Sequence, residues 1–176
     1  MSEHVAKTIQ GLKAAVAANG ALAKAVFRAT TISEADALST ESQIRSFTVR
    51  LDEPLELGGT DTGPNPVEAL LAALGSCQAI VYRAYASVLG LRLDRVEVEA
   101  KGHLDVRGLL DAAPVAAGFE RVTFTTRVAS PEPPEKLREL SRIVEAHCPV
   151  LDTLRTPVVV SGTVEIVHTA ARRDAA

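Results

Sequence analysis

The residues best equipped to do chemistry in this 176-residue chain are its two cysteines, Cys77 and Cys148. A thiolate is a nucleophile, a metal ligand and a reductant, and its neighbours decide which of these it becomes. Cys77 ends the stretch GGTDTGPNPVEALLAALGSC (58–77), and Cys148 lies in EAHCPVLDTL (145–154). Metal chemistry is poorly served. There is no CxxC and no HExxH, and His4, His103, His147 and His168 are scattered along the chain. His147 adjoins Cys148, yet adjacent helical side chains point about 100° apart, which disfavours a protease-like Cys–His pair. The Gly-rich loop has no Lys-Ser/Thr after its last glycine, and Gly58, Gly59 and Gly63 lack dinucleotide-binding spacing. It reads as a turn leading into a helix. Two readings of the thiols stay open: small buried hydrophobes, or a redox pair.

What surrounds a thiol sets its reactivity. Cys77 falls well inside a predicted helix, out of reach of the positive N-terminal end, and requires a cation from elsewhere in the fold. Cys148 is expected at the N-cap of a short helix opening at Pro149, where free backbone N–H groups favour a thiolate. Glu68 is a carboxylate on the same helix as Cys77. Nine residues separate them, about 13.5 Å of axial rise and opposite faces, so within one helix they cannot cooperate. Across crossing helices of a two-fold dimer they can. The spacing of Glu68 from Asn65, with Pro66 between, is that of a capping box.

A helix over 5–18 is predicted from the spacing of Val5, Ile9, Leu12 and Val16, with Gly20 near its end. VFRATTI (26–32) and IRSFTVRLD (44–52) read as strands. Residues 53–64 hold three glycines and two prolines and form no regular structure. Asn65 then opens a helix that runs to about Leu89 and stops at Gly90. Leu70, Leu71, Leu74, Ile80, Val81, Tyr85 and Val88 make it apolar on most sides, so burial on more than one face is expected. Strands follow at 95–106 and 119–129, then a helix at 135–147, a short helical turn in PVLDTL, and a closing strand at 157–167. The order αββαββαβ implies an α+β fold with largely antiparallel sheet on buried helices, not a parallel doubly wound one. The expected organisation is an N-terminal helical extension (1–20), a single domain (21–170) and a frayed tail (171–176).

Hydrophobic residues are 47% of the chain but aromatics only 3%, so the core must come from Ala, Val and Leu. A net charge of −3 argues against a nucleic-acid partner or an anionic membrane surface. The opening MSEHVAKTIQ lacks the features of a signal peptide, and the apolar run 67–81 is interrupted and too short to span a bilayer. A cytoplasmic protein is expected.

Taken together, DEPLELGGTDTGPNPVEALLAALGSC and HCPVLDTLRTPVVV resemble the OsmC/Ohr family, the osmotically inducible protein C and organic hydroperoxide resistance proteins. The GPNPVE loop is more similar to the OsmC-like branch. The resemblance spans roughly residues 26–168 and takes in both cysteines and the strand order. It implies an OsmC-like fold, with largely antiparallel sheets around two buried central helices in an intertwined homodimer. It also implies a thiol-dependent peroxidase acting on organic hydroperoxides, with Cys77 as peroxidatic thiol and Cys148 as resolving thiol. Such a cycle uses no metal, flavin or haem, only an external dithiol or lipoyl-type reductant. Hydroperoxide-reducing members resemble NPE…C, with a carboxylate ten residues before the cysteine. Here Val67 holds that place and the glutamate is Glu68, turned by about 100° on the helix. Those members also use an arginine from an early strand or loop to polarise the thiolate. Of Arg28, Arg45 and Arg50, alternation over 44–52 puts Arg45 on the inward side with Phe47 and Val49, which makes Arg45 the expected partner. An alternative is a non-catalytic OsmC-like dimer whose interface pocket binds an apolar or thiol-bearing small molecule. A third reading keeps the thiols only as core packing.

Overall fold

The computed structural model describes residues 2–34 and 37–168. Its central element is helix α2, Pro66–Leu89, preceded by helix α1, Ser2–Ala18. The start of α2 is the predicted capping box. The Asn65 side chain accepts from the Glu68 N–H, and the Glu68 carboxylate accepts from the Asn65 N–H, both at 2.9 Å. Two otherwise orphaned donors are satisfied in one stroke. Gly90 ends α2 at φ 67°, the left-handed geometry that spares glycine a Cβ clash. With 24 residues, α2 is long and apolar enough by composition to cross a membrane, which the shorter run 67–81 does not suggest. In this fold it is the element against which the helices and one strand pair are laid.

Three short strands lie between the helices: β1 (Thr30–Ile32), β2 (Thr40–Ile44) and β3 (Phe47–Leu51), antiparallel in that order. Two expectations are corrected here. The predicted strand 26–32 shrinks to its last three residues, and Val26 and Phe27 are almost fully exposed. The predicted strand 44–52 is not one strand but the turn and second arm of a tight hairpin, with Ile44 paired to Phe47 and Arg45 in the turn at φ 57°. The polar segment TESQI, which carries no strand signature, is the other arm. Its ladder partners, not its own composition, make it a strand.

The loop that follows folds back on β3. Asp52 N–H donates to the Pro64 carbonyl at 3.2 Å, and Asp61 N–H to the Glu53 carbonyl at 3.2 Å. A Cβ at Gly59 would stand 1.8 Å from the Glu53 oxygen, so only glycine permits this closure.

After α2 come β4 (Arg95–Leu104) and β5 (Phe119–Ala129), a long antiparallel pair with Val98 opposite Thr126. Val96, Val98 and Ala100 turn toward the interior, while Glu97 and Glu99 meet Arg127 on the solvent face. The connection holds a single helical turn, α3 (Val106–Leu109), that no periodicity announces. Helix α4 (Pro134–His147) and the short α5 (Pro149–Arg155) complete the ordered elements, joined at Cys148.

Two apolar clusters sit side by side along α2. One joins Tyr82, Ala86, Leu93, Leu140 and Val144; the other joins Leu74, Cys148 and Leu151, with Cys77, Phe124 and Val150 against it. The fully buried side of α2 is therefore the single stripe Leu74, Gln78, Tyr82, Ala86. The expectation of burial on several faces fails within one chain, and Ile80 and Leu89 stay exposed. In α1 only the first half of the predicted stripe is covered: Val5 and Ile9 are half-buried, whereas Leu12 is 60% exposed. The closing strand predicted at 157–167 has no ladder partner among the described residues; those residues are irregular and exposed. The tail expected to fray, 171–176, lies outside the described residues.

Candidate functional site

The break between α4 and α5 brings the two cysteines together. Pro149 disfavours helical geometry at the residue before it, so Cys148 adopts extended backbone, φ −87° and ψ 108°, and turns its side chain into the core. Its stripe Leu137, Leu140, Val144 leads there by one more step of four, and Cys148 is fully buried. From the facing side α2 presents Cys77, part-exposed at the cluster edge. The Cys148 thiol donates to the Cys77 sulfur across 3.2 Å, and both thiols are free. A disulfide spans about 2.05 Å, so an approach of roughly 1 Å closes the bond.

The electrostatics differ from expectation. Cys148 is the N-cap of α5, but its side chain caps nothing. The free N–H of Val150, in the first turn of α5, is directed at Cys77 instead and holds that thiol down. Burial acts more strongly in the other direction, and the adjacent Cys148 adds to it, so the Cys77 thiol is pushed up overall. Among the described residues no cation counters this.

The remaining sequence candidates lie elsewhere. Arg45 is exposed at the hairpin turn, its guanidinium 5.1 Å from the Phe47 ring centroid. Arg50 is paired with Glu41 across the same hairpin, and Arg28 is exposed ahead of β1. Glu68 serves as helix cap and lines a groove along α2 with Leu71, Gly75 and Ser76. Beside the thiols, a cleft of about 410 Å³ is lined by Leu70, Leu74, Phe124 and Leu151, with Arg121 and Arg155. Leu74 and Leu151 are the residues that pack on Cys148, so an alkyl group in this cleft would rest one layer from the dithiol.

Two features near the thiols escaped the sequence. The Val150 amide has no side-chain signature, because its direction follows from how α5 docks. Gln78 could have been found: it is the one polar residue in the four-residue stripe Leu74, Gln78, Tyr82, Ala86.

Comparison with known proteins agrees with this architecture. Residues 59–162 match the family model for OsmC-like protein. An uncharacterised protein of Haloferax volcanii is 30% identical over 136 residues, covering 77% of this chain and 92% of its own. An OsmC-like protein of Mycoplasma pneumoniae superposes with a TM-score of 0.65 at 20% identity, over 76% of this chain and 90% of that one. A Legionella pneumophila structure described as an organic hydroperoxide resistance protein OsmC gives 0.57 at 21% identity, over 75% and 92%. A Vibrio cholerae structure, described as a putative organic hydroperoxide resistance protein with captopril bound in one of its active sites, gives a TM-score of 0.55 at 17% identity, over 76% and 88%.

Proposed function

The chain belongs to the OsmC-like family, and on that premise we propose that it reduces organic hydroperoxides by thiol chemistry at Cys77 and Cys148. The observation that carries the reading is the 3.2 Å contact between two free thiols from distant parts of the chain, one packing layer from a cleft that Leu74 and Leu151 line. In the proposed cycle the Cys77 thiolate attacks the distal oxygen of ROOH. The O–O bond breaks, RO⁻ leaves and takes a proton as ROH, and Cys77 becomes a sulfenic acid. The Cys148 sulfur then attacks the Cys77 sulfur, the S–O bond breaks, and the hydroxyl departs as water with the Cys148 proton. An external dithiol, of lipoyl or similar type, reduces the disulfide by exchange. No metal, flavin or haem enters this cycle. The leucine and phenylalanine side chains in the cleft favour organic hydroperoxides over hydrogen peroxide through burial of the R group.

We place this chemistry in a homodimer. The exposed apolar side of α2, the apolar residues Ile32, Phe47 and Val49 on β1–β3, and the valine-rich 157–168 segment all lack cover among the described residues. A second chain covers them and brings arginines to Cys77, Arg45 on its exposed hairpin among them. That cation is what a thiol pushed up by burial needs.

The test is consumption of tert-butyl hydroperoxide and cumene hydroperoxide with a dithiol reductant. Cys77→Ser abolishes turnover. Cys148→Ser gives a single turnover and a Cys77 sulfenic acid that a dimedone probe captures. Absence of consumption by the wild type across several hydroperoxides would overturn the enzyme reading. The raised Cys77 thiol without a cation beside it among the described residues favours the second reading, a non-catalytic dimer holding an apolar or thiol-bearing molecule, and an inactive wild type that still binds such a ligand would establish it.

A further inference from the structure

Gln78 is fully buried, yet neither Nε2 nor Oε1 has a hydrogen-bond partner among the described residues. The Thr126 hydroxyl, on the inward face of β5, is in the same condition. Buried polar groups without partners are rare because each carries its desolvation cost uncompensated, so three such atoms in one chain need a reason.

Their placement gives one. Along α2, Leu74 belongs to the Cys148 cluster and Tyr82 to the neighbouring one, and Gln78 stands midway, one turn from each. Along β5, Phe124 packs on the Cys148 cluster and Val128 on the other, with Thr126 midway. Along α4, Val144 belongs to the second cluster, and one turn later Cys148 belongs to the first. Three elements thus bring their transition points to one level. Gln78 and Thr126 lie at the junction of the two clusters, at the level where α4 passes from Val144 to Cys148.

We propose that Gln78, with Thr126, is the positioning residue for Cys148 in the resolving step, an inference that rests on the dithiol chemistry above. In the reduced protein the Cys148 S–H points to the Cys77 sulfur. Once Cys77 carries an oxygen or another sulfur, that arrangement is lost, and the Cys148 thiol must hold its lone pair toward Cys77 while its proton points away. The Gln78 carbonyl oxygen is the buried acceptor available to take that hydrogen, and Thr126 is the second. Cys148 then attacks, the leaving group departs from Cys77, and the proton passes out with it. Gln78 forms no bond to the reacting sulfurs and exchanges no electrons.

The experiment separates the two thiol steps. With the aromatic disulfide DTNB, Cys77 attacks first and releases one thionitrobenzoate. Cys148 then resolves the mixed disulfide and releases a second. Gln78→Leu and Gln78→Met are expected to leave the first phase within about twofold and to slow the second about tenfold, with Thr126→Val slowing it less. The same variants accumulate a dimedone-reactive Cys77 after one equivalent of cumene hydroperoxide. A merely structural role would alter both phases together or change only thermal stability. A second phase of unchanged rate in both Gln78 variants overturns the inference and leaves the peroxidase reading intact. A wild type that resolves DTNB but never consumes peroxide overturns that reading and leaves the assignment of Gln78 standing.

Discussion

Asp52 and Gln78 are the two polar residues whose side chains are fully buried among the described residues, and the fold surrounds them in opposite ways. The Asp52 carboxylate accepts from the Glu53 N–H at 2.8 Å, from the Thr60 N–H and hydroxyl at 3.1 and 2.6 Å, and from the Thr62 N–H and hydroxyl at 3.1 and 3.0 Å. Gln78 accepts and donates nothing among the described residues. Asp52 stands where the 53–64 loop returns to β3, so its bonds hold the loop that delivers the chain to the Asn65 cap. Gln78 stands in the middle of α2, where every backbone group is already used and no turn has amides to offer. The contrast shows that polarity was brought into the core at one place to fix structure, and at the other without structural return, next to the thiols.

Changes at Asp52 test the first half of this contrast most severely. Asp52→Ala leaves the Thr60 and Thr62 donors unmatched and is expected to lower Tm by roughly 10 °C, measured by calorimetry at pH 7. The thiols are then less well presented, because the start of α2 loosens. The same carboxyl is held far below the usual carboxylate range, chiefly by the Thr60 hydroxyl and then the Thr62 N–H. Its stabilising contribution is therefore complete above the unfolded value, near 3.9, and drains away as pH falls through that value toward the folded one. Thermal unfolding from pH 6 to pH 2 shows this as a decline that Asp52→Asn flattens. Thr60→Val, which removes one hydroxyl donor, is expected to cost about 1 kcal/mol, read from urea midpoints.

Gln78→Met turns the comparison around. It replaces an unpartnered amide by an apolar side chain of similar length, so Tm holds or rises by about 2–4 °C. A clear loss of Tm would show that Gln78 is structurally satisfied in solution and would erase the distinction from Asp52. The smallest effect is expected at Glu68. Glu68→Gln keeps a capping acceptor and changes stability by no more than about 0.5 kcal/mol, and a hydroperoxide assay of this variant reports whether the carboxylate does more than cap the helix.

The elements legible in the sequence were those whose signals are local. Asn65, Pro66, Glu68 and Gly90 delimit α2 by hydrogen bonds within five residues of each end, and the alternation of 119–129 matches β5 to the residue. Pro149 announces the α4–α5 break that seats Cys148. What failed depends on pairing between segments, which the pattern of a single segment does not reveal. TESQI becomes a strand only because a hairpin supplies its ladder, Arg45 sits in a turn that strand alternation conceals, and 157–167 has β-forming residues with no strand to pair with. At the site, the cysteine pairing followed from family resemblance. The service of the Val150 amide to Cys77 rather than Cys148 follows from helix docking, which no residue pattern encodes.

Residues 157–168 also bear on how the native state is reached. In the homodimer proposed above, the second chain covers this exposed, valine-rich segment, so the last step of folding is an encounter between two chains. That step is second order. Refolding half-times then shorten and Tm climbs as protein concentration rises. At low concentration the same exposed run, free of Pro beyond Pro157, offers β-forming residues to the wrong partner.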